Sequence, residues 1–464
     1  KTSTYARYEE ILKEKKAKFY RRKDGSTGIT WKSIGADVEA FLDLLETILL
    51  SADSAGQEYR HVWLDDIYAN LVARSPLFKN LTLTFSNRQE NTLEHVRKVS
   101  VFTDDPASDQ KSPQLHRAIQ RLEAIAHDLG KYFVARWEIN KSDEVVFKLS
   151  NDFTQDHAFI GGLIFDELLF RVSESSYLTN HPIDEVRELF EALKLNTPEG
   201  RRVLTGPITY HHLLENHGHG HFETQQLATI LKSPFQKDLE RAKEGGNPEE
   251  LDGLNEQLLI SLRHFILLSM ADVGAGGNPL FIVENARAAR FLINHMVVIE
   301  GFAECKTLYE VLAGSMGRIL YEMGMCLELS LAGDDAMREQ KKMGIMQNIS
   351  IILEAERKLE EKMSADPESL EIISQVRQML GDGIIQLISV IHHKLQDAEV
   401  RIINQSDYAF MQLIVTSIYE KVASSCTEIA NIVSTWFEKN PIPTLMLMQQ
   451  SDEDVTQGPL ATAI

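Results

Sequence analysis

Histidine is concentrated in one part of the chain, at spacings that could place several rings around a metal ion. Ten of the fifteen histidines lie within residues 91–280 if His264 is set aside, and five of those ten lie between His211 and His221. Imidazole is the commonest metal ligand in proteins and the common acid–base group near neutral pH. A metal needs ligands that converge from several elements, so further ligands must come from elsewhere in the chain.

The pair His127–Asp128 offers two ligand types side by side. It follows an apolar helical pattern in the stretch RLEAIAHDLGKYF, residues 121–133, and Gly130 suits the C-terminal cap of that helix. Neighbouring side chains do not share one face of a helix. Both can therefore reach a single ion only at a helix end or beside a tight cavity, which is an unusual place for a histidine of a simple core.

Three further candidates lie on apolar segments. His95 lies within a predicted helix, and His157 lies near the start of a long one, where Gly161 and Gly162 follow one turn later and suit close helix packing. Asp272 lies near the end of a very apolar helix, just before a glycine-rich loop. A carboxylate at such a place needs a partner, because burying it unpaired is costly.

The elements that position these residues are predicted to be helices, because apolar residues recur at spacings of three and four and strand-like alternation is scarce. We therefore expect an all-α fold. Its expected parts are an N-terminal helical segment, a central domain with a polar insertion, a C-terminal helical domain and a loose tail, at residues 1–90, 91–280 (insertion near 235–257), 281–440 and 441–464.

Composition narrows the class of protein. The chain has 464 residues, enough for two or three domains, and its hydrophobic and charged contents of 43% and 25% are ordinary for a soluble protein. A net charge of −20 disfavours coating of nucleic acid, although the basic run within 13–23 could contact phosphates unless it is a solvated helix face or arm. Three scattered cysteines, no signal peptide and no apolar run of membrane-spanning length lead us to expect a cytoplasmic protein.

Residues 281–440 are rich in Met, Ile and Leu at helical spacing and contain no ligand-like set of carboxylates and histidines. The stretch SADPES, residues 364–369, is predicted to break one helix and cap the next. Long amphipathic helices bury their apolar stripes against each other or against a second copy of the chain. We therefore expect this block to govern assembly or control, with a homodimer through it, and not the chemistry.

In sequence order, the candidates resemble the ligand pattern of the HD-domain superfamily of metal-dependent phosphohydrolases: His95, His127–Asp128, His157, His211–His212 and Asp272. The motif HDLGK and the histidines between the HD pair and the last aspartate are similar to the binuclear, phosphodiesterase-type branch, which includes the HD-GYP phosphodiesterases of cyclic dinucleotides. The resemblance covers residues 91–280. It implies a helical bundle with additional helical segments at both ends.

The resemblance also implies two divalent ions, iron, manganese or similar. One ion would be held by His95, His127, Asp128 and Asp272. The second would be held by His157, His211 and His212, with Asp128 bridging the two. Asp128 and Lys131 would be the catalytic residues, with Lys131 binding the phosphate of the substrate. Alternatively, Lys131 only complements the dipole at a helix C-terminus.

Two features depart from that branch. Asn91 stands where a glutamate would hold a third ion, so two ions are expected and not three. Gly218–Phe222 is a degenerate counterpart of the Gly-x-Gly-Tyr-Pro loop, which puts cyclic di-GMP, the usual substrate of the branch, in doubt. His217, His219 and His221 would lie on a flexible loop that either reaches over the site or is an exposed polar loop. Five other histidines are expected to be structural, namely His116, His181, His264, His392 and His393.

The expected function is hydrolysis of a phosphoester of a nucleotide or cyclic dinucleotide at a binuclear site. Two divalent ions side by side activate water and neutralise the charge of the phosphate under attack. One alternative is an HD-type nuclease that acts on single-stranded DNA or RNA, and another is a non-catalytic HD sensor whose working part is the 281–440 block. The last alternative is a set of histidines that are satisfied separately in helix cores.

Overall fold

Helices make up almost all of the regular structure in the computed structural model, which confirms the predicted all-α class. The only strands among the described residues form two short antiparallel hairpins. The chain divides into two compact units, Lys1–Leu312 and Ala313–Ile464. The structure describes residues 3–51, 69–82, 92–103, 113–134, 136–139, 145–148, 153–174, 184–221, 223–325, 335–363, 367–400 and 405–440.

The first unit begins with elements of the N-terminal segment. In chain order they are α1 (Ser3–Glu14), β1 (Lys18–Arg21), β2 (Thr27–Thr30), α2 (Ile34–Ser51) and α3 (Pro76–Lys79). Residues 69–74 are also helical, and Asn80–Thr82 forms a 3-10 turn. Because β1 and β2 pair as an antiparallel hairpin, the segment predicted to be helical is helical only in part.

The helices that carry the candidate ligands follow. They are α4 (Thr92–Phe102), α5 (Pro113–Ala126), α6 (Lys131–Val134), α7 (Phe153–Glu174), α8 (Asp184–Ala192), α9 (Pro198–Tyr210), α10 (Leu213–Gly218), α11 (Thr224–Lys232), α12 (Gln236–Gly245), α13 (Pro248–Gly276) and α14 (Pro279–Asn294), with a second hairpin of β3 (Arg136–Ile139) and β4 (Val145–Lys148) between α6 and α7. The core lies where α9 packs against α7 and α13, and where α13 packs on α4. Phe165, Leu204 and Phe265 are at most 1% exposed there, as the apolar stripes of these helices require.

The end of the basic run within 13–23 belongs to the β1–β2 hairpin and not to a helix face or a free arm. Arg22 is 4% exposed, and its guanidinium donates to Glu167 at 2.5 Å and pairs with Asp166, both on α7. A buried guanidinium needs such partners. These contacts dock the hairpin onto the helix that carries His157, so Arg22 stabilises the fold and does not offer its charge to phosphates.

Glycines permit close packing beside the HD pair. A Cβ on Gly130 would lie 1.9 Å from the carbonyl oxygen of His157, and one on Gly162 would lie 2.0 Å from Thr209 Oγ1. The packing role predicted for Gly162 is therefore confirmed. Gly130 does not adopt the left-handed conformation of a helix C-terminal cap, contrary to the sequence prediction. Glycine is needed there because α7 approaches its backbone too closely for any side chain.

The polar insertion predicted near 235–257 is helical. It contains α12 and the first turns of α13, which meet at a short turn. Helix α13 begins here because the Asn247 side chain accepts the N–H of Glu250 and because Pro248 takes the first helical position. The second half of the insertion is thus the N-terminal part of the helix that carries Asp272.

The division between the units falls later than the boundary predicted at 281. Helix α14 packs on α10 and α13, and it buries Ala286, Ala289 and Leu292 within the first unit. A π-helical turn, His295–Ile299, and a 3-10 turn, Ala303–Lys306, continue the first unit. Residues 281–312 therefore belong to the body that holds the candidate ligands, because their apolar face completes its core.

The second unit is a bundle of long helices. Its elements are the C-terminal part of α15 (Thr307–Met325), then α16 (Asp335–Met363), α17 (Pro367–Val400), α18 (Gln405–Ser425) and α19 (Thr427–Lys439). The end of α16 and the start of α17 confirm the predicted break near 364–369. Neighbouring helices bury Ile and Leu stripes against one another, for example Ile349, Leu387 and Ile414. The homodimer expected through this block remains a prediction, and residues 441–464 lie outside the described residues.

One helix among the described residues, α13, is long and apolar enough to cross a membrane by length and composition. Of its most apolar window, 78% is buried inside the protein. It packs against α4, α9 and α14, which is the environment of a core helix in a soluble protein.

Candidate metal centre

The structure brings all seven predicted ligands together in one cluster, which we name the candidate metal centre. They come from α4, the turn between α5 and α6, the start of α7, the junction of α9 and α10, and the end of α13; in that order they are His95, His127 and Asp128, His157, His211 and His212, and Asp272. Residues far apart in sequence meet because α9 and α13 cross the core side by side. Four of the five histidines are at most 6% exposed.

One part of the candidate metal centre consists of His95, His127 and Asp272. Their ligand atoms all lie within 4.8 Å of one another. His95 Nε2 is 2.7 Å from Asp272 Oδ1, and His127 Nε2 is 3.7 Å from the same oxygen. This set of two imidazoles and one carboxylate is able to hold one divalent ion.

A second part consists of His157, His211 and His212, each of which offers a ring nitrogen within 4.8 Å of those of the other two. The Nε2 atoms of His157 and His212 face each other at 3.2 Å. Two facing imidazole nitrogens repel each other unless a proton or a cation lies between them. Asp272 Oδ2 lies 3.9 Å from both His211 Nε2 and His212 Nδ1, so a carboxylate also borders this part.

Asp128 lies between the two parts. Its Oδ1 is 3.2 Å from His157 Nε2, whereas its Oδ2 is 3.6 Å from His127 Nε2 and 4.0 Å from His95 Nε2. Each oxygen thus faces a different part. The Lys131 ammonium donates to Oδ2 at 2.6 Å and is itself buried. Lys131 therefore balances the charge of Asp128 inside the cluster and does not lie free beyond a helix end.

Backbone carbonyls fix the orientation of two rings. His127 Nδ1 donates to the carbonyl of Ala124 at 2.6 Å, and His211 Nδ1 donates to the carbonyl of Ile208 at 2.7 Å. A carbonyl only accepts hydrogen bonds, so the proton lies on Nδ1 and the lone pair of Nε2 points into the cluster. Both Nε2 atoms are buried and have no hydrogen-bond partner among the described residues. Buried lone pairs without a donor are what a cation would satisfy.

The pKa values of the carboxylates favour their charged forms. Burial alone would raise the pKa of Asp128, but Lys131 and the neighbouring His127 lower it well below its usual range. Burial acts against Asp272 in the same way, and the neighbouring His127 and His95 hold its pKa well below the usual range. Both groups are therefore ionised at neutral pH, as metal ligands must be.

Two imidazoles are held in their neutral form. Burial lowers the pKa of His157 to about 4 and lowers the pKa of His211 well below its ordinary value. For His127, burial also acts to lower the pKa, but Asp128 and Asp272 raise it by more. The negative charge that favours a proton on His127 also favours a cation in its place. The donor set thus fits a divalent first-row ion in charge, protonation and chemistry.

The three histidines after His212 do not join any ligand group among the described residues. His217 lies on α10, where its Nε2 is 3.2 Å from Thr224 Oγ1, and His219 Nε2 is 3.4 Å from Glu284 Oε2. His219 and His221 are exposed. The flexible loop expected for His217 is thus the last turn of a short helix, and only His219 and His221 lie in the turn that follows.

The other predicted residues divide between structural and undescribed positions. His264 is fully buried and lies 2.9 Å from Glu123, which agrees with its predicted structural role. Asn91 and His181 lie outside the described residues, as do the side chains of His116, His392 and His393.

Two acidic residues near the centre were not predicted from the sequence. Glu215 Oε2 lies 3.4 Å from His212 Nδ1, and the spacing of three residues on a helix start is a signal that would have found it. Glu123 on α5 pairs with His264 on α13, and burial raises the pKa of this carboxyl well above its usual range. That pair joins the helix before the HD pair to the helix that carries Asp272. Only the packing of α5 on α13 reveals it.

Comparison with known proteins adds no assignment: no family model matches the chain, and no curated protein and no solved structure matches it either.

Proposed function

We propose that the protein is a metal-dependent phosphohydrolase of the HD-domain type, with a binuclear centre. The observation that carries the proposal is the position of Asp128, which presents one oxygen to the group of His95 and His127 and the other to His157. A carboxylate between two ligand groups is suited to bridge two ions. The resemblance in ligand order supports the same assignment.

Two divalent ions held in this way would activate water and neutralise negative charge on a phosphate. The chain itself contributes ionised carboxylates, neutral imidazoles and one buried ammonium. Lys131 Nζ donates to Asp128 Oδ2 at 2.6 Å. We propose that Lys131 also binds a phosphate oxygen of the substrate and holds it in place.

The substrate class we propose is a phosphoester of a nucleotide or cyclic dinucleotide. The net charge of −20 and the use of Arg22 as a buried structural cation argue against a long basic groove for nucleic acid. We propose a cytoplasmic location and a homodimer through the second unit, where Met343 and Ile351 are 64% and 40% exposed on one helix.

Hydrolysis by metal-reloaded protein tests the proposal. Protein stripped with chelator and reloaded with Mn²⁺ or Fe²⁺ should hydrolyse bis-para-nitrophenyl phosphate, and Asp128→Asn should abolish this. The matched control is Asp252→Asn, an exposed aspartate on the helix that carries Asp272, which should retain full activity. Cyclic dinucleotides and single-stranded RNA and DNA complete the panel.

The outcomes separate the alternatives. Preferential cleavage of single-stranded nucleic acid would favour the nuclease over the phosphodiesterase. Tight metal binding without hydrolysis of any substrate would contradict an enzyme and favour a sensor. If the protein binds no metal, the whole assignment is wrong.

A further inference from the structure

A cavity of about 520 Å³ lies at the end of α10 that is farther along the chain from His212. It is bordered by the C-terminal turn of α10, the start of α11 and one face of α14. Its volume is within the range of pockets that hold small ligands of drug or nucleotide size, about 300–1,000 Å³. All of its lining belongs to the first unit.

A single short helix connects the cavity to the metal centre. Helix α10 begins directly after His212, and His217 near its end lines the cavity. Five residues of helix correspond to roughly 7–8 Å along the axis. A ligand whose phosphate lies beside His212 would therefore extend toward the cavity along α10.

The lining of the cavity combines flat rings with one strong cation. The Phe291 ring faces the His217 ring at a centroid distance of 6.3 Å in an edge-on arrangement, and the Arg287 guanidinium lies 6.0 Å from the Phe291 ring. The guanidinium is held in place by a bond to the carbonyl of Gly218 at 2.9 Å. Planar groups of this kind stack on a heterocycle, while the guanidinium suits a phosphate or ribose oxygen.

Polar side chains from α11 also line the cavity. Glu223 and Gln226 belong to the start of α11, where they form a reciprocal cap with each other's backbone. The amide nitrogen of Gln226 takes no part in this cap, and an amide N–H suits the hydrogen-bonding edge of a base. A site for free phosphate would not need an aromatic ring, and a carboxylate at its rim would repel the phosphate.

We propose that this cavity binds the nucleoside part of a nucleotide whose phosphoester lies at the candidate metal centre. This inference rests on the proposed phosphohydrolase function and specifies its substrate class. The base packs against Phe291 and His217, with its polar edge toward Glu223 and Gln226. Arg287 binds the sugar-phosphate on the side that faces α10.

Equilibrium binding tests the cavity without catalysis. Isothermal titration of the full chain with the four nucleoside 5′-monophosphates, with and without Mn²⁺, should show binding of at least one of them. Phe291→Leu should weaken it about 5-fold or more, since base–aromatic stacking is worth about 1–3 kcal/mol. Arg287→Gln should weaken it as well. The matched control is Phe281→Leu, on the same helix but beside His219 and outside the cavity, which should bind as the unaltered protein does.

Inorganic phosphate serves as the second probe. If it binds as tightly as every nucleotide, or if Phe291→Leu and Phe281→Leu bind nucleotide equally, the nucleoside site is wrong. Circular dichroism and thermal melting of each variant establish that a loss of binding does not come from misfolding. A variant that fails to fold is replaced by Phe291→Met, which keeps the volume and removes the ring.

Kinetics distinguish failure of the cavity from failure of the proposed function. For the para-nitrophenyl ester of thymidine 5′-monophosphate, Phe291→Leu should raise KM and leave kcat nearly unchanged, whereas the control Phe281→Leu should alter neither constant and should not alter hydrolysis of bis-para-nitrophenyl phosphate. Turnover of both substrates with no effect of Phe291→Leu would overturn the cavity and leave the phosphohydrolase standing. Nucleotide binding that depends on Phe291, without turnover of any ester, would support the cavity and contradict the phosphohydrolase.

Discussion

The histidines of the candidate metal centre and those of the segment His217–His221 have the same side chain in different surroundings. His95, His127, His157 and His211 are at most 6% exposed and meet across four helices, whereas His219 and His221 are exposed on one turn. The segment is denser in histidine than any single helix of the centre. Local density of histidine therefore does not make a metal site; convergence of buried rings around carboxylates does.

The partners of the rings show the same difference. In the centre, the rings of His127 and His211 are fixed by backbone carbonyls and leave lone pairs without a donor. In the segment, His217 bonds to Thr224 and His219 pairs with Glu284. The histidines of the segment have partners within the protein, so they need no ion. The Nε2 lone pairs of the centre lack a donor, so a cation would satisfy them.

The largest effect is expected when a histidine of the candidate metal centre is replaced, compared with a histidine of the segment. His211→Ala should abolish metal-dependent hydrolysis and lower metal content, because it removes a buried lone pair from the second ligand group. His221→Ala should leave both unchanged. Metal analysis by mass spectrometry and a steady-state assay measure the two quantities. Equal loss in the two variants would remove the distinction between the centre and the segment.

Replacement of Lys131 should have the next largest effect, and only on turnover. Lys131→Met should keep metal content, because it removes a cation that competes for Asp128 Oδ2. It should lower kcat/KM about 100-fold, as does loss of one donor that stabilises developing charge. Lys131→Arg, which keeps the charge, serves as the control. If Lys131→Met loses metal as Asp128→Asn does, the phosphate-binding role is wrong; if turnover is unchanged, Lys131 is only structural.

The stability of the metal-free protein should depend on pH through the buried rings. The folded pKa of His157, about 4, lies below its unfolded value of about 6.5. As the pH falls through this window, the unfolded chain binds a proton that the folded chain refuses, so the free energy of unfolding falls, by a few kcal/mol at most. Asp128 and Asp272 change the free energy of unfolding only below their unfolded pKa of about 3.9. His127 has a raised pKa, so the stability that its protonation contributes is lost as the pH rises above about 6.5.

Urea denaturation in chelator between pH 7 and 4.5 measures this fall. His157→Gln should reduce it, whereas His221→Gln should leave it unchanged. A free energy of unfolding that stays constant or rises as the pH falls would contradict the burial of neutral imidazole in the centre.

The smallest effect is expected in the segment itself. His219 pairs with Glu284, and its side chain is 31% exposed. Such a partly exposed pair contributes little, so His219→Gln should change the free energy of unfolding by less than about 1 kcal/mol. The same urea titration measures it. A larger loss, or any loss of metal, would show that the segment supports the centre.

Apolar periodicity, a local signal, predicted the helical class, whereas the set of seven residues that meet was predicted from the resemblance of their order to the HD-domain ligand pattern. The sequence could not predict that Lys131 turns back onto Asp128, or that Gly130 is required by the approach of α7, because both depend on packing between separate helices. Of the basic run, the sequence could not predict that Arg22 is buried, since its acidic partners lie on α7.

The residues that line the proposed cavity show the same limit of prediction from sequence. Arg287 and Phe291 lie after residue 281, in the block to which the sequence assigned no chemistry. Only the packing of α14 on α10 places them beside the short helix that follows the ligand histidines. A boundary drawn from composition therefore separated residues that the fold brings together.

The most direct test of the central claim is an anomalous difference map of the protein crystallised with Mn²⁺. The account predicts two peaks on either side of Asp128, about 3.5–4 Å apart as in other two-metal sites, one beside His95 and His127 and one beside His157 and His211. A single peak would contradict a bridging Asp128 and the binuclear centre. No peak within the cluster would contradict the metal assignment altogether.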